Sequence, residues 1–264
     1  MPEHEDGHKI AALLDTLQIV TLENLAGNLQ DRYDEKYLLP EPLYGDFLEQ
    51  LWEYYRVLEV DGVRDYRYVS SYLDLPGFPM YLAHHNGKKN RYKVRYRRYV
   101  GSGKVYLEVK HKINKGKTLK SRMEVEREKN EPEGEEIPFL REKTPYDPLM
   151  MRQVLQVSFT RITLAAPDGR ERITYDHSLR FRAGEQEKDL PGLGVLEIKH
   201  SGRKNLSPMT RLLNRYRIFP QGFSKYCTGI LLLYPGVKYN RFKPMLKLIK
   251  ENYYGVNADL AGSR

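Results

Sequence analysis

The chain has 264 residues, of which 40% are hydrophobic and 30% charged, and it carries a formal net charge of +9. This length fits one large domain or two small ones, and it can bury a sizeable core without disulfides. The excess of basic residues predicts an anionic partner: a nucleic acid, an acidic membrane or a phosphorylated small molecule. The single cysteine, Cys227, excludes an intrachain disulfide and favours a reducing, cytoplasmic location.

No leader or membrane-spanning segment is predicted. The first residues, MPEHEDGHK, lack the basic-then-apolar order of a signal peptide. The longest apolar run, Ile230 to Leu233, is far too short to span a bilayer. A peripheral location at the inner face of a membrane would therefore depend on a membrane-protein partner supplied by another chain.

Residues 1–31 are predicted to form a polar tail and a short amphipathic helix. Apolar residues recur there at helical spacing: Ile10, Leu13, Leu14, Leu17 and Val20. The main domain is predicted to span residues 32–255, with a C-terminal tail over 256–264. The domain begins with a short strand that Pro40 ends, then a helix from about Glu41 to Val57, then a strand from Tyr66 to Leu73.

Alternating segments predict that an antiparallel meander follows. Three strands are expected over 90–100, 104–113 and 117–127, joined by hairpins at 101–103 and 114–116. A surface excursion rich in Glu and Pro is expected over 130–148. Further strands are expected over 154–164, 170–176 and 192–200, and helices over 207–217 and 242–253.

Basic residues share one face of these strands, because strand side chains alternate with a period of two. In the first meander strand, Lys and Arg at odd positions oppose Tyr92, Val94 and Tyr96, and similar alternation recurs around Lys110 and Lys199. A solvated face is the simpler explanation for one strand. A mostly basic face repeated over several strands instead predicts a barrel whose interior binds a polyanion and whose apolar outer faces are covered by helices.

These residues resemble a known family. The segments are DEKYLLP (34–40), VLEVDGVRDYRYVSSYLD (57–74), YLAHHNGKKNRYKVRYR (81–97), YLEVKHKINKGKTLKSR (106–122), GVLEIKHSG (194–202) and FSKYCTGI (223–230). In this order they resemble the VTC domain, the catalytic domain of the vacuolar transporter chaperone polyphosphate polymerase, within the triphosphate tunnel metalloenzyme or CYTH-like superfamily. The resemblance covers about residues 32 to 240. It implies an α+β fold with an antiparallel β-barrel tunnel surrounded by helices.

The resemblance also implies an activity and a set of site residues. The activity is transfer of the γ-phosphate of ATP to a growing polyphosphate or pyrophosphate chain, with Mn²⁺ or Mg²⁺ as cofactor. Catalysis and substrate binding are assigned by motif to Lys36, Arg95, Arg97, Lys110, Lys120, Arg161, Arg172, Lys199 and Lys225. Metal binding is assigned to Glu197, for which the alternative is a plain salt bridge. Lys225 could instead be a surface lysine, and Glu108 is expected to form a structural ion pair.

The chain departs from the wider superfamily at its first strand. Relatives often begin with E-x-E-x-K, whereas this register reads Arg32, Asp34 and Lys36, which favours polymerase over hydrolase chemistry. Phe159 stands where a tyrosine is common. A binding module for polyphosphate or nucleotide without turnover and an inorganic triphosphatase remain alternatives. A nucleic-acid partner is not expected, because no such motif is present and the basic residues alternate along strands. The oligomeric state is not predicted.

Overall fold

The computed structural model describes residues 3–25, 32–114, 117–201 and 207–252. The helices in these ranges are α1 (Glu3–Thr16), α2 (Leu22–Leu25), α3 (Glu41–Leu51), α4 (Pro79–His85), α5 (Glu136–Lys143), α6 (Pro208–Arg215), α7 (Lys225–Leu233) and α8 (Lys243–Asn252). The strands are β1 (Ile19–Val20), β2 (Arg32–Pro40), β3 (Arg56–Leu58), β4 (Asp65–Asp74), β5 (Arg91–Tyr99), β6 (Val105–Lys112), β7 (Thr118–Val125), β8 (Arg152–Ala165), β9 (Glu171–Ala183), β10 (Gln186–Leu190) and β11 (Leu193–Ser201). Short 3-10 helices lie at Pro148–Met150 and Asn240–Phe242.

The strands form a large, mainly antiparallel sheet. Hydrogen-bonded neighbours follow the order β2-β11-β9-β8-β4-β5-β6-β7, while β10 pairs with β9, and β3 pairs with β1 and β8. The registers of β11 with β2 and β9, and of β5 with β4 and β6, are antiparallel. Only the short β1 pairs in parallel among the registers of the described residues. The predicted α+β class, with an antiparallel sheet and helices packed on it, is confirmed.

The chain divides into two compact units. The first contains the described residues of Met1–Tyr66, Thr160–Leu179 and Leu190–Phe223. The second contains those of Arg67–Phe159, Arg180–Asp189 and Ser224–Arg264. Four strands, β4, β8, β9 and β10, contribute residues to both units.

In the first unit, α1, α3 and α6 cover the apolar face of β2, β11 and β9. The ring of Tyr44 in α3 stacks on Tyr175 in β9 with the ring centroids 3.7 Å apart. Gly194 in β11 makes room for this stack, because a Cβ there would lie 2.1 Å from the Tyr175 ring. The helices therefore occupy one side of these strands, and polar residues line the other.

In the second unit, α4 and α5 cover the apolar face of β4, β5 and β6. Met80 from α4 and Leu140 from α5 join strand residues such as Val94 and Leu107 in one buried cluster. Helix α7 packs closely on β8 and β9 at Gly229, where an added Cβ would lie 2.5 Å from Leu155 and 2.8 Å from Phe181. As in the first unit, the helices therefore lie on one side of the strands and the polar residues lie on the other.

Several local predictions need correction. The helix expected to continue to Val57 ends at Leu51, and Arg56–Leu58 form β3. The buried Tyr55 explains this break, because its hydroxyl donates to the Glu171 carboxylate in β9 at 2.5 Å, which fixes the chain in an extended path. The excursion over 130–148 contains helix α5, and β9 extends to Ala183 instead of ending at 176.

The helix predicted over 207–217 is confirmed as α6. Its N-cap, Ser207, accepts a hydrogen bond from the Thr210 amide. Cys227 is buried, with its Sγ 3.0 Å from Nδ1 of His84. The predicted turn at 114–116 falls partly outside the described residues. Residues 1–2 and 26–31 of the predicted N-terminal segment, residues 253–255 of the predicted domain and the predicted tail over 256–264 also lie outside them.

Candidate functional site

One face of the sheet in the first unit is polar and mostly basic. It is built by β2, β11 and β9, whose antiparallel registers bring alternate residues side by side. We call it the Glu197 face, and its members are Asp34, Lys36, Arg172, Thr174, Glu197 and Lys199. Across the strands, Glu197 lies between Lys36 and Thr174, and Lys199 lies between Asp34 and Arg172.

Glu197 is held between two lysines. Its Oε1 lies 2.9 Å from Nζ of Lys199, and its Oε2 lies 3.8 Å from Nζ of Lys36. Burial favours the neutral acid, but the charges of Lys36, Lys199 and Arg161 together hold the pKa of this carboxyl well below its usual range. Glu197 is therefore an anion at neutral pH, with a side chain that is 18% exposed.

Arg161 is oriented by a buried carboxylate. Its guanidinium donates two hydrogen bonds to Asp176, and the Nη2 to Oδ2 distance is 2.7 Å. The Asp176 side chain is only 3% exposed. The charge of Arg161 acts on the Glu197 face, because it helps to lower the pKa of Glu197. Burial is the main cause that lowers the pKa of Lys199, and the charge of Arg161 lowers it further. Arg172 donates to the carbonyl oxygen at the end of α2.

Thr174 places a buried hydroxyl beside Glu197. The residue is 4% exposed, and its Oγ1 has no hydrogen-bond partner among the described residues. Buried hydroxyls are normally paired, and an unpaired one costs about 1–3 kcal/mol. Such a group is therefore suited to bind a phosphate oxygen or a water molecule on this face.

The second unit carries its own polar face, built by β4, β5, β6 and β7. We call it the Arg95 face, and its members are Ser70, Tyr72, Lys93, Arg95, Arg97, Tyr106, Glu108, Lys110, Lys120 and Arg122. Its members alternate with the buried residues of the α4 and α5 side. The structure therefore places on one face the alternate strand residues that the sequence predicted to share a face.

Two arginines on this face share one carboxylate. Nη2 of Arg95 lies 2.7 Å from Oε2 of Glu108, and Nε of Arg97 lies 3.8 Å from the same oxygen. The Arg95 guanidinium also donates to the Tyr72 hydroxyl at 3.1 Å. Burial opposes ionisation of Glu108, but Arg95 and Arg97 lower its pKa below the usual value. Glu108 is therefore the ion-pair partner of these arginines, as expected.

Three lysines lie on one row across the Arg95 face. Lys93 is directly opposite Lys110, and Lys110 is directly opposite Lys120. Directly opposed residues in antiparallel strands have Cβ atoms about 4.5–5.5 Å apart, and like charges in such pairs destabilise the sheet. Lys93 also donates to the Ser224 hydroxyl at 2.7 Å. A row of this kind is well suited to a polyanion that neutralises it.

Lys225 is the first residue of α7, directly after its N-cap, Ser224. Its Nζ lies 4.4 Å from the centroid of the Phe159 ring in β8, an arrangement that is typical of a cation–π contact. Its side chain is half-buried. Phe159 itself stacks on Tyr68 of β4 with centroids 5.4 Å apart.

The predicted site residues therefore fall into two groups. The first unit brings together Lys36, Arg161, Arg172, Glu197 and Lys199. The second unit brings together Arg95, Arg97, Lys110, Lys120 and Lys225. Sequence reasoning did not assign Lys93 and Thr174 to the site, although both share the parity of assigned neighbours, which was the available signal.

A divalent cation fits the Glu197 face in part. Magnesium in proteins is usually bound by one or two carboxylates, with phosphates and water as the other ligands. Glu197 supplies one anionic carboxylate. Asp34 lies two positions before Lys36, and Lys36 is the cross-strand neighbour of Glu197. No group of three or more His, Cys, Asp and Glu suited to a metal occurs in the described ranges. This donor set therefore fits a cation that takes its remaining ligands from phosphate.

The chain matches the family model of the VTC domain over residues 31–234, and it therefore belongs to this family. Family membership supports a role in binding nucleotide or phosphate. Among curated proteins, no sequence matches the chain significantly.

Solved structures with a related fold include two candidate cyclases. One is a candidate adenylate cyclase from Bacillus halodurans, with 14% identity, coverage of 81% of this chain and 97% of that chain, and a TM-score of 0.48. The other is a candidate adenylyl cyclase from Hippeastrum, described as having a dominant triphosphatase activity, with 13% identity, coverage of 76% and 95%, and a TM-score of 0.48.

No helix of the described residues combines the length and the apolar character needed to cross a membrane.

Proposed function

We propose that this protein is a polyphosphate polymerase that uses ATP as its phosphoryl donor. A terminal oxygen of the polyphosphate or pyrophosphate acceptor forms a bond to the γ-phosphorus of ATP. The bond between that phosphorus and the β,γ-bridging oxygen breaks, and ADP leaves with its electron pair. Charge and atoms balance without a nucleophilic side chain, which is usual for phosphoryl transfer.

The observation that carries this proposal is the lysine row of Lys93, Lys110 and Lys120. Three neighbouring ammonium groups across three strands repel one another, so the arrangement favours a ligand with several closely spaced negative charges. A phosphate polymer or a triphosphate has this charge spacing. A monovalent or a widely spaced anion would neutralise the row less completely.

The arginines and lysines are proposed to have different tasks. Arg95, Arg97, Arg161 and Arg172 would grip phosphate oxygens, because guanidinium presents a planar fork that matches them. The lysines at 36, 110, 120, 199 and 225 would act as point charges along the path of the polymer. We further propose that the catalytic domain spans residues 32–255.

Glu197 is the residue proposed to hold the metal. Its carboxylate would hold Mn²⁺ or Mg²⁺, and the chemistry supplied by such a cation is neutralisation of negative charge on phosphate. Lys36 and Lys199 position the Glu197 carboxylate and keep it ionised. In the first strand, Arg32 stands at the first carboxylate position of the E-x-E-x-K pattern, and Asp34 keeps the second. Fewer acidic residues near the phosphates favour transfer to another phosphate over hydrolysis.

The proposed setting is cytoplasmic, with a membrane-protein partner supplied by another chain as a further expectation. Nucleic acid is not among the proposed partners. The first unit's α1 and the tail before residue 32 are proposed to lie outside the catalytic part. None of these expectations is needed for the transfer of the phosphoryl group.

The test is incubation of the protein with ATP and Mn²⁺ or Mg²⁺, followed by a gel stained for polyphosphate and an assay for orthophosphate. Polymer that forms with ADP in matching amounts supports the proposal. Orthophosphate without polymer identifies a triphosphatase, and tight ATP binding without either product identifies a binding module. Glu197→Gln serves as the inactive variant, and Glu187→Gln, on an exposed surface ion pair, serves as the matched control.

A further inference from the structure

A cluster of tyrosines lies at one end of the Arg95 face. Tyr68, Tyr99 and Tyr106, which we call the tyrosine cluster, come from β4, β5 and β6. The ring centroids of Tyr68 and Tyr99 are 5.1 Å apart, and those of Tyr99 and Tyr106 are 5.9 Å apart, both with edge-on geometry. All three residues are only half-buried. They are not part of the buried cluster beneath α4 and α5.

The cluster is continuous with the phosphate-gripping residues. Tyr68 is opposite Tyr99, and Tyr106 is opposite Arg97. Along β5, the polar face reads Tyr99, Arg97, Arg95 and Lys93, with about 7 Å between successive side chains. The order is therefore aromatic group first, arginine pair next, and lysine row last.

A nucleoside triphosphate has the same order of chemistry along its length. Its aromatic base is separated by one sugar from a chain of three phosphates. With the phosphates on Arg97, Arg95 and the lysine row, the base would reach the tyrosine cluster. Stacking of a base on an aromatic side chain stabilises binding by about 1–3 kcal/mol.

The contacts of the cluster distinguish its members. Tyr68 is fixed between Phe159, on which it stacks, and Tyr99. The Arg122 guanidinium lies 4.9 Å from the centroid of the Tyr106 ring. Tyr99 contacts Tyr68 and Tyr106 in edge-on geometry, so neither neighbour stacks face to face on its ring.

We propose that the tyrosine cluster binds the base of the donor nucleoside triphosphate, with Tyr99 as the principal stacking residue. This inference rests on the proposed function, because it takes the Arg95 face as the triphosphate site. It adds a source of discrimination between nucleotides and inorganic phosphate chains, which phosphate-gripping residues cannot supply.

The experiment compares two ligands on the same variants by titration calorimetry in the presence of Mg²⁺. The ligands are the non-hydrolysable ATP analogue with a β,γ-imido bridge and inorganic tripolyphosphate. Tyr99→Leu should weaken binding of the ATP analogue about 5- to 100-fold and leave tripolyphosphate binding within twofold. Tyr99→Phe, which keeps the ring, should bind both ligands like the wild type. Tyr239→Leu, an exposed tyrosine of the same unit, should change neither.

Each outcome decides one of the two proposals. Unchanged binding of the ATP analogue by Tyr99→Leu overturns the base subsite, and so does an equal loss for both ligands when circular dichroism shows a folded variant. If Tyr99→Leu does not fold, Tyr106→Leu takes its place with the same expectation. A wild-type protein that binds tripolyphosphate but not the ATP analogue overturns the use of ATP as donor and the base subsite with it, whereas unchanged analogue binding by Tyr99→Leu overturns the base subsite alone. A wild-type protein that binds neither ligand overturns the proposed function and the base subsite with it.

Discussion

Replacing Glu197 by glutamine removes one negative charge from between two lysines and keeps the shape of the side chain. At an effective dielectric constant of about 20, the attraction of Glu197 amounts to about 6 kcal/mol for Lys199 and about 4 kcal/mol for Lys36 at the distances of 2.9 and 3.8 Å. Desolvation offsets most of this gross attraction. We expect Glu197→Gln to lower the free energy of unfolding by about 2–4 kcal/mol.

This loss should depend on pH with a definite sign. The folded-state pKa of Glu197 is lowered from 4.5, so the unfolded state binds more protons in acid. Its contribution is therefore complete above about pH 5 and is lost as the pH falls through 4.5 toward the lowered folded value. Thermal unfolding at pH 7 and pH 3 should show a Tm difference between variant and wild type that narrows in acid. A difference of equal size at both pH values would refute the reasoning.

Binding gives an independent readout with the opposite sign. In EDTA, tripolyphosphate should bind Glu197→Gln at least as tightly as the wild type, because the face becomes more positive. With Mn²⁺ present, the wild type should gain affinity and the variant should not. The control Glu187→Gln, whose carboxylate is 43% exposed, should resemble the wild type throughout. Weaker binding by Glu197→Gln in EDTA would show that the carboxylate does not face the ligand.

Three further changes test the faces and the packing. Lys110→Ala combined with Lys120→Ala should maintain or raise Tm without ligand, and it should weaken tripolyphosphate binding by about 1.5–3 kcal/mol per lost contact. Calorimetry measures both the Tm and the binding free energy, and a lower ligand-free Tm would contradict like-charge repulsion. Asp176→Asn should cost about 3–5 kcal/mol in urea denaturation, because Arg161 loses its buried partner; a cost below 1 kcal/mol would contradict this. Gly229→Ala should cost about 1–3 kcal/mol by the same measurement, because its Cβ would overlap a leucine side chain; no change in the urea midpoint would contradict the close packing.

The sequence predicted the faces of the strands because side-chain parity is a local property. In β5, the odd positions face the polar side, as the alternation of Arg95 with Val94 and Tyr96 indicated. Register is not local, because it depends on which strand lies alongside. The row of Lys93 with Lys110 could not be predicted from spacing within either strand, and Lys93 was therefore not assigned to the site.

Helix boundaries were predicted less well, for physical reasons. The apolar pattern after Glu41 continues past the end of α3, because Tyr55 and Val57 are also buried. Their burial comes from pairing with β1 and β8 and from the Tyr55 hydrogen bond to Glu171, which tertiary contacts alone create. Helix α7 lacks an amphipathic pattern because most of its residues are buried, so no periodicity indicated it.

The carboxylate that holds Arg161 affects how an anion would be bound. A guanidinium already fixed by two hydrogen bonds has given up much of its rotamer freedom, which amounts to about 2 kcal/mol for an unrestrained arginine. A phosphate would meet a ready-made fork and pay little ordering entropy there. Arg161 would thus define where a phosphate rests on the Glu197 face.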